Sequence, residues 1–192
     1  MIATPKIKSY TAEEYLALEV EADDRHEYRN GEIVLMPGGT PAHNALTNAL
    51  SSILWYELLN QDYQVFVVDQ RLQIPGTNLY TYPDVMVIEE PVQLQTGRKD
   101  TVTNPLIIAE VLSESTKNYD LGDKFQAYQT IPSFQEYLLI DQYRYHVEHR
   151  VKQSKNQWLL TTYEGATSKL SLSSVPVEIE FSKLYSKVKF SN

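Results

Sequence analysis

The sequence has no cysteine, which excludes disulfides, thiolate metal sites and a cysteine nucleophile together. Any metal would have to be held by oxygen or histidine. No apolar run reaches the roughly 18–20 residues needed to span a bilayer, and the first fourteen residues, MIATPKIKSYTAEE, lack the apolar stretch of a secretory leader. The expectation is a soluble, cytoplasmic protein without a membrane partner. Positive charge is scarce, with 17 Lys and Arg against 25 Asp and Glu and a formal charge of −8. That balance argues against a basic carpet over nucleic-acid phosphates, because such binding is driven largely by counterion release from Lys and Arg contacts. Also missing are a G-x-x-x-x-G-K-[ST] phosphate loop, a G-x-G-x-x-G turn and a G-x-S-x-G nucleophile elbow. P-loop nucleotide hydrolysis, dinucleotide redox chemistry and α/β-hydrolase chemistry lose their support with them.

What is present is a chain of ordinary globular composition, 42% hydrophobic and 22% charged over 192 residues. That length fits one domain, residues 1–192. Residues 1–60 and 61–120 each carry a net charge of −5, whereas 121–192 carry +2. An acidic surface is usually only solvated, but carboxylates that converge inward suit a hard cation such as Mg²⁺.

Local signals give a mixed α/β order. Thr11-Ala12-Glu13-Glu14 is a capping box, predicting a short helix to about Glu19. Asn30-Gly31 ahead of Ile33-Val34-Leu35 is a hairpin signal. Thr40 followed by Pro41 starts a helix whose apolar face is built from Ala42, Ala45, Leu46, Ala49, Leu50, Ile53, Leu54 and Leu58. Strands are expected at 65–68, 71–74, 82–88 and 106–112, then a helix over 120–130 and a strand over 136–141. Period-two alternation over 143–151, with a partner at 157–163, predicts a late antiparallel hairpin. His146 and His149 would point to opposite faces of that strand and form no zinc motif, so surface or edge roles are expected for them.

Two carboxylates stand alone in apolar strands: Asp84 in Tyr82-Pro83-Asp84-Val85-Met86-Val87-Ile88 and Glu110 in Ile107-Ile108-Ala109-Glu110-Val111-Leu112. A buried strand carboxylate is costly unless it is paired or metal-bound. An antiparallel pairing centred on Gly97 sets the two opposite each other, thirteen residues to either side. Directly opposed β-carbons lie about 5 Å apart, so the charges repel unless a cation lies between them; otherwise each pairs with a base or faces solvent at a strand end. Lys124 shares a helical face with Ala127 or Tyr128 and Ile131. It could reach those carboxylates, or form an ordinary salt bridge to Asp120 or Asp123.

At these residues the sequence resembles the Uma-two family of restriction-endonuclease-like proteins. The likeness is carried by Pro83-Asp84-Val85, Glu110-Val111-Leu112-Ser113, Asp120, Lys124 and Tyr128, and Glu136-Tyr137-Leu138-Leu139-Ile140-Asp141. It extends from Tyr28 and Gly31-Glu32 through His43 to the hairpin containing Trp158. The family belongs to the PD-D/E-x-K nuclease superfamily. The resemblance implies a central mixed sheet flanked by helices and metal-dependent phosphodiester hydrolysis, with DNA as substrate and Mg²⁺ or Mn²⁺ as cofactor. Asp84, Glu110 and the Val111 carbonyl become the implied ligands, with Glu32 and His43 as auxiliaries; for His43 a packing or capping role at a helix start is an alternative. One position departs from the pattern. Leu112 stands where the superfamily has its lysine, and the likeness carries that role to Lys124. A binding or regulatory module of weak or no catalysis therefore stays beside the endonuclease reading, as does an interaction protein using its 14 tyrosines. A homodimer is the expected assembly.

Overall fold

The computed structural model describes residues 9–190. Residues 1–8, part of the stretch read above for the absence of a leader, and residues 191–192 lie outside that range. In chain order the elements are α1 (Ala12–Val20), β1 (His26–Arg29), β2 (Glu32–Leu35), α2 (Pro41–Leu58), β3 (Tyr63–Val67), β4 (Arg71–Ile74), β5 (Leu79–Thr81), β6 (Val85–Glu89), β7 (Thr101–Val102), β8 (Ile107–Leu112), α3 (Lys117–Leu121), α4 (Asp123–Tyr128), β9 (Glu136–Asp141), β10 (His146–Ser154), β11 (Gln157–Glu164), β12 (Lys169–Ser171), β13 (Glu178–Glu180) and α5 (Phe181–Leu184). Among them no helix is long and apolar enough to cross a membrane.

The local signals act as their chemistry requires. Thr11 and Glu14 close a reciprocal capping box on α1, and the Thr40 side chain accepts from His43 N at the start of α2, with Pro41 in its first turn. Asn30 and Gly31 take positive φ angles of 50° and 101°, the left-handed conformations a two-residue hairpin turn between β1 and β2 requires.

The central sheet is mixed, with six strands in the order β11-β10-β9-β8-β6-β3. Only β8 and β9 run parallel within it. Strand alternation sorts its side chains into two layers. Val85, Val87, Ala109, Val111, Leu138 and Ile140 face α2, where Leu46, Leu50, Leu54 and Leu58 form the opposing row, joined by Ile179 of β13 and Phe181 of α5. Met86, Ile88, Ile108, Leu112, Tyr137 and Leu139 face the other way, against Tyr128 of α4, Ile131, Phe134, and Leu72 and Ile74 of β4. The fold is thus α/β, a central mixed sheet flanked by helices, and the late hairpin β10–β11 is followed by a smaller antiparallel hairpin, β12–β13.

The structure departs from the sequence reading in four places. A second, five-stranded sheet, β2-β1-β5-β4-β7, packs beside the first. Residues 90–106 do not form a plain hairpin turn around Gly97, because Thr101–Val102 leaves to pair in parallel with β4. The helix expected over 120–130 is two short helices, broken at Gly122, whose φ and ψ of −113° and −95° are not helical. His149 is buried rather than at the surface, with its Nε2 2.5 Å from Glu136 Oε2.

Candidate functional site

The pairing of β6 with β8 places the two lone carboxylates together. Val85 pairs with Ala109, Met86 with Ile108 and Val87 with Ile107, and the same register continued by one residue sets Asp84 against Glu110. Asp84 lies just before β6, and its backbone N–H reaches Glu110 Oε2 at 3.4 Å. The β6 ladder begins at Val85, and beyond it the Val111 N–H donates to the Asp84 side chain, to Oδ2 at 2.8 Å.

Glu110 occupies the β8 row that faces α4, where its neighbours Ile108 and Leu112 are apolar. It is 4% exposed, and its Oε1 is met by Lys124 Nζ at 2.8 Å and by Tyr128 OH at 2.8 Å. Lys124 and Tyr128 are one helical turn apart on α4, which brings both to the same carboxylate. Lys124 also lies 3.4 Å from Asp120 Oδ1 and 3.4 Å from Glu27 Oε1. Burial pushes the Glu110 carboxyl up to about 8, against the pull of Lys124 and with the help of Asp120 and Asp84. Burial works against the Lys124 charge, but Glu110, Tyr128, Glu27 and Asp120 outweigh it and hold the ammonium firmly protonated.

His43, one turn into α2, places Nε2 3.2 Å from Asp84 Oδ2. Burial disfavours its charge, yet Asp84, Asp120 and the Val111 carbonyl together raise its pKa above the ordinary histidine value. These groups line a cleft of about 520 Å³ together with Arg29, Thr40, Ser113, Tyr119 and Gln142. Glu32 is not in this lining; it lies exposed on β2, paired with Arg29.

Several cleft residues were not among the sequence candidates. Glu27 and Arg29 sit two apart on β1 and so face the same side; Glu27 Oε2 accepts from Arg29 Nε at 2.9 Å and Oε1 contacts Thr81 Oγ1. Burial alone would raise the Glu27 pKa, but Lys124 and Arg29 bring it below the usual carboxylate value. The Arg29 guanidinium lies over the Tyr119 ring, 3.7 Å from its centroid. Gln142 joins Thr40, through an Oγ1–Oε1 contact of 2.5 Å, to the Leu112 carbonyl, to which its Nε2 donates at 2.7 Å. The available signal was a carboxylate and a guanidinium at period two in a strand as short as His26–Arg29, too short for the sequence pattern to show that both of its faces are covered.

The donor set of Asp84, Glu110 and the Val111 carbonyl is all oxygen. It suits Mg²⁺ or Mn²⁺, which keep several waters and take one or two carboxylates. It is not a complete protein cage: among the described residues no three His, Asp or Glu side chains are grouped to hold an ion.

A central mixed sheet with two carboxylates and a lysine gathered at adjoining strand ends defines a nuclease-like protein of the PD-D/E-x-K kind. The chain belongs to the Uma2 family, whose model, described as "Putative restriction endonuclease", matches residues 12–183. It is 45% identical over 173 residues to the uncharacterized protein sll1609 of Synechocystis sp., covering 90% of this chain and 97% of that one. A second Synechocystis protein, the uncharacterized slr1290, is 34% identical over 180 residues, 93% of this chain and 92% of the relative. The crystal structure of a "putative nuclease belonging to DUF820" from Anabaena variabilis ATCC 29413 superposes with a TM-score of 0.73 at 18% identity, covering 92% of this chain and 98% of that one. At that identity the likeness concerns the fold.

Proposed function

We propose that residues 1–192 act as one nuclease-fold domain whose cleft takes the sugar–phosphate backbone of DNA, as a binding or regulatory module of weak or no turnover. The observation that carries this reading is the engagement of both carboxylates by protein donors. Lys124 and Tyr128 satisfy Glu110, and Val111 N–H and His43 satisfy Asp84. Leu112, at the position where the superfamily has its lysine, is packed into the core.

A second reading, a Mg²⁺- or Mn²⁺-dependent endonuclease acting on DNA, is favoured by the convergence of Asp84, Glu110 and Lys124 in one cleft. On that reading Asp84, Glu110 and the Val111 carbonyl would hold the ion, which when bound polarises a phosphoryl oxygen and acidifies water. Lys124 would orient the attacking water or stabilise negative charge gathering on the phosphoryl oxygens. His43, fixed by Asp84, would hold a proton at Nε2 beside the reacting group. Glu32 would act only through β1, from outside the cleft. A two-fold homodimer is the working assembly for both readings.

The deciding experiment pairs binding with cleavage. Supercoiled plasmid and single-stranded DNA are incubated with the protein and with Glu110→Gln in Mg²⁺, Mn²⁺ or EDTA, and binding is followed by gel shift. DNA binding without nicking in any metal supports the module. Metal-dependent nicking that disappears in Glu110→Gln supports the endonuclease, and absence of both binding and nicking rejects both readings.

A further inference from the structure

Three side chains lining the cleft carry or can carry positive charge: Arg29, His43 and Lys124. Two of them are committed. Lys124 is 6% exposed and lies within 3.4 Å of three carboxylates. His43 is held by Asp84 and the Val111 carbonyl. Arg29 differs. Its side chain is 31% exposed, and Nε and Nη2 both go to the single oxygen Glu27 Oε2. Among the described residues Nη1 has no hydrogen-bond partner.

We propose that Arg29 is the phosphate-binding residue of the cleft, donating from its free Nη1 edge to a non-bridging oxygen of a nucleic-acid phosphodiester. This deepens the proposed function and rests on its reading of the cleft as a backbone site. The geometry is that of a preorganised anion receptor. The guanidinium plane is held on one face by Tyr119 at 3.7 Å and along one edge by a carboxylate that is itself anchored to Thr81 and Lys124. Little side-chain entropy is then lost when an anion meets the open edge, and arginine presents N–H groups in the fork that suits phosphate oxygens. Burial disfavours the Arg29 charge, but Glu27, Tyr119 and Asp120 more than compensate, so the cation persists at every working pH. The placement also answers the problem set by the net charge of −8. One open cation in a cleft of engaged carboxylates gives the backbone a single point of attachment and implies weak binding with a shallow dependence on salt.

The test uses the full chain, a fluorescein-labelled 16-nucleotide single strand and the corresponding duplex, with anisotropy read in EDTA over a range of NaCl. Arg29→Met should weaken binding of both probes about tenfold and should reduce the slope of log K against log[salt] by about 0.9 for the duplex and 0.7 for the single strand. Arg29→Lys should restore the slope and only part of the affinity, because the charge returns without the planar fork. A role confined to folding would lower the fraction of active protein without changing the salt slope. If the parent binds and Arg29→Met, folded by circular dichroism, keeps its affinity and slope, the assignment of Arg29 is overturned while the cleft reading stands. If the parent binds neither probe at low salt, the cleft reading falls and the assignment falls with it.

Discussion

Lys124 meets carboxyl groups on three different elements, Glu27 of β1, Glu110 of β8 and Asp120 of α3, and with Arg29 it holds Glu27 ionised, so its removal leaves buried charge short of a cation. Lys124→Ala is expected to cost about 3–5 kcal/mol of stability, measured by urea unfolding, and Glu27→Gln in the same chain should recover part of that loss. A recovery of nothing would mean that the Glu27 charge does not depend on Lys124. Glu110 has its own pH signature. Its folded pKa lies near 8, above the value of about 4.3 expected in the unfolded chain, so the folded state binds the extra proton and stability falls as pH rises through that window. In EDTA, Glu110→Gln should therefore gain stability relative to the parent between about pH 5 and pH 8, with Lys124 charged throughout. These side chains were largely legible in the sequence. Asp84 and Glu110 stood out as lone charges in apolar strands, and Lys124 and Tyr128 lay on one helical face. Glu27 and Arg29 did not, because nothing local marks a four-residue strand as buried on both faces.

At the scale of elements, the sequence reading was sound where local chemistry decides and failed where a single backbone angle does. The capping box, the Asn30-Gly31 turn and the Thr40-Pro41 helix start are read from adjacent residues and are present. The helix over 120–130 is not continuous because Gly122 turns out of helical φ and ψ, and a β-carbon there would come within 3.2 Å of the Asn118 carbonyl. The break leaves Asp120 near the end of one short helix and Lys124 at the start of the next, with Lys124 still reaching both Asp120 and Glu110. Another element depends on a charge outside the cleft. Glu136 opens β9, is fully buried, and accepts from Ser173 N at 2.9 Å, from Ser174 N and from His149. It thereby ties the central sheet to the loop between β12 and β13. Burial would raise its pKa, but His149 and these donors bring it below the ordinary value. Its contribution is thus present above the unfolded carboxylate pKa and is lost as pH falls through the lower folded value. Glu136→Gln should cost about 2–3 kcal/mol at pH 7, and the gap to the parent should narrow in acid below about pH 4.3, measured as urea midpoints at pH 7, 5 and 3. A gap independent of pH would show that the tie is steric rather than ionic.

For the whole molecule, the central sheet could be anticipated and the second sheet could not. β5 and β7 have three and two residues, below the length at which period-two alternation carries a signal, and the β1–β5 and β4–β7 pairings join residues far apart in sequence. Yet that second sheet supplies Glu27, Arg29 and Thr81, so the cleft is closed from the side that the local patterns did not reveal. The two sheets together decide how the protein responds to a metal. A cation binding Asp84 and Glu110 stabilises the folded state in proportion to its occupancy, since the unfolded chain holds no such pair. It must also displace the proton that Glu110 keeps up to about pH 8, so metal affinity should rise with pH. The endonuclease reading then predicts that about 1 mM Mn²⁺ raises Tm by several degrees at pH 8.5 and by clearly less at pH 6.5, with Asp84→Asn removing the effect. The binding-module reading predicts a shift below about 1 °C at either pH, because Lys124, Tyr128, His43 and Val111 N–H already satisfy both carboxylates. A shift of equal size in Asp84→Asn would place the ion elsewhere on the acidic surface and remove the metal argument for this cleft.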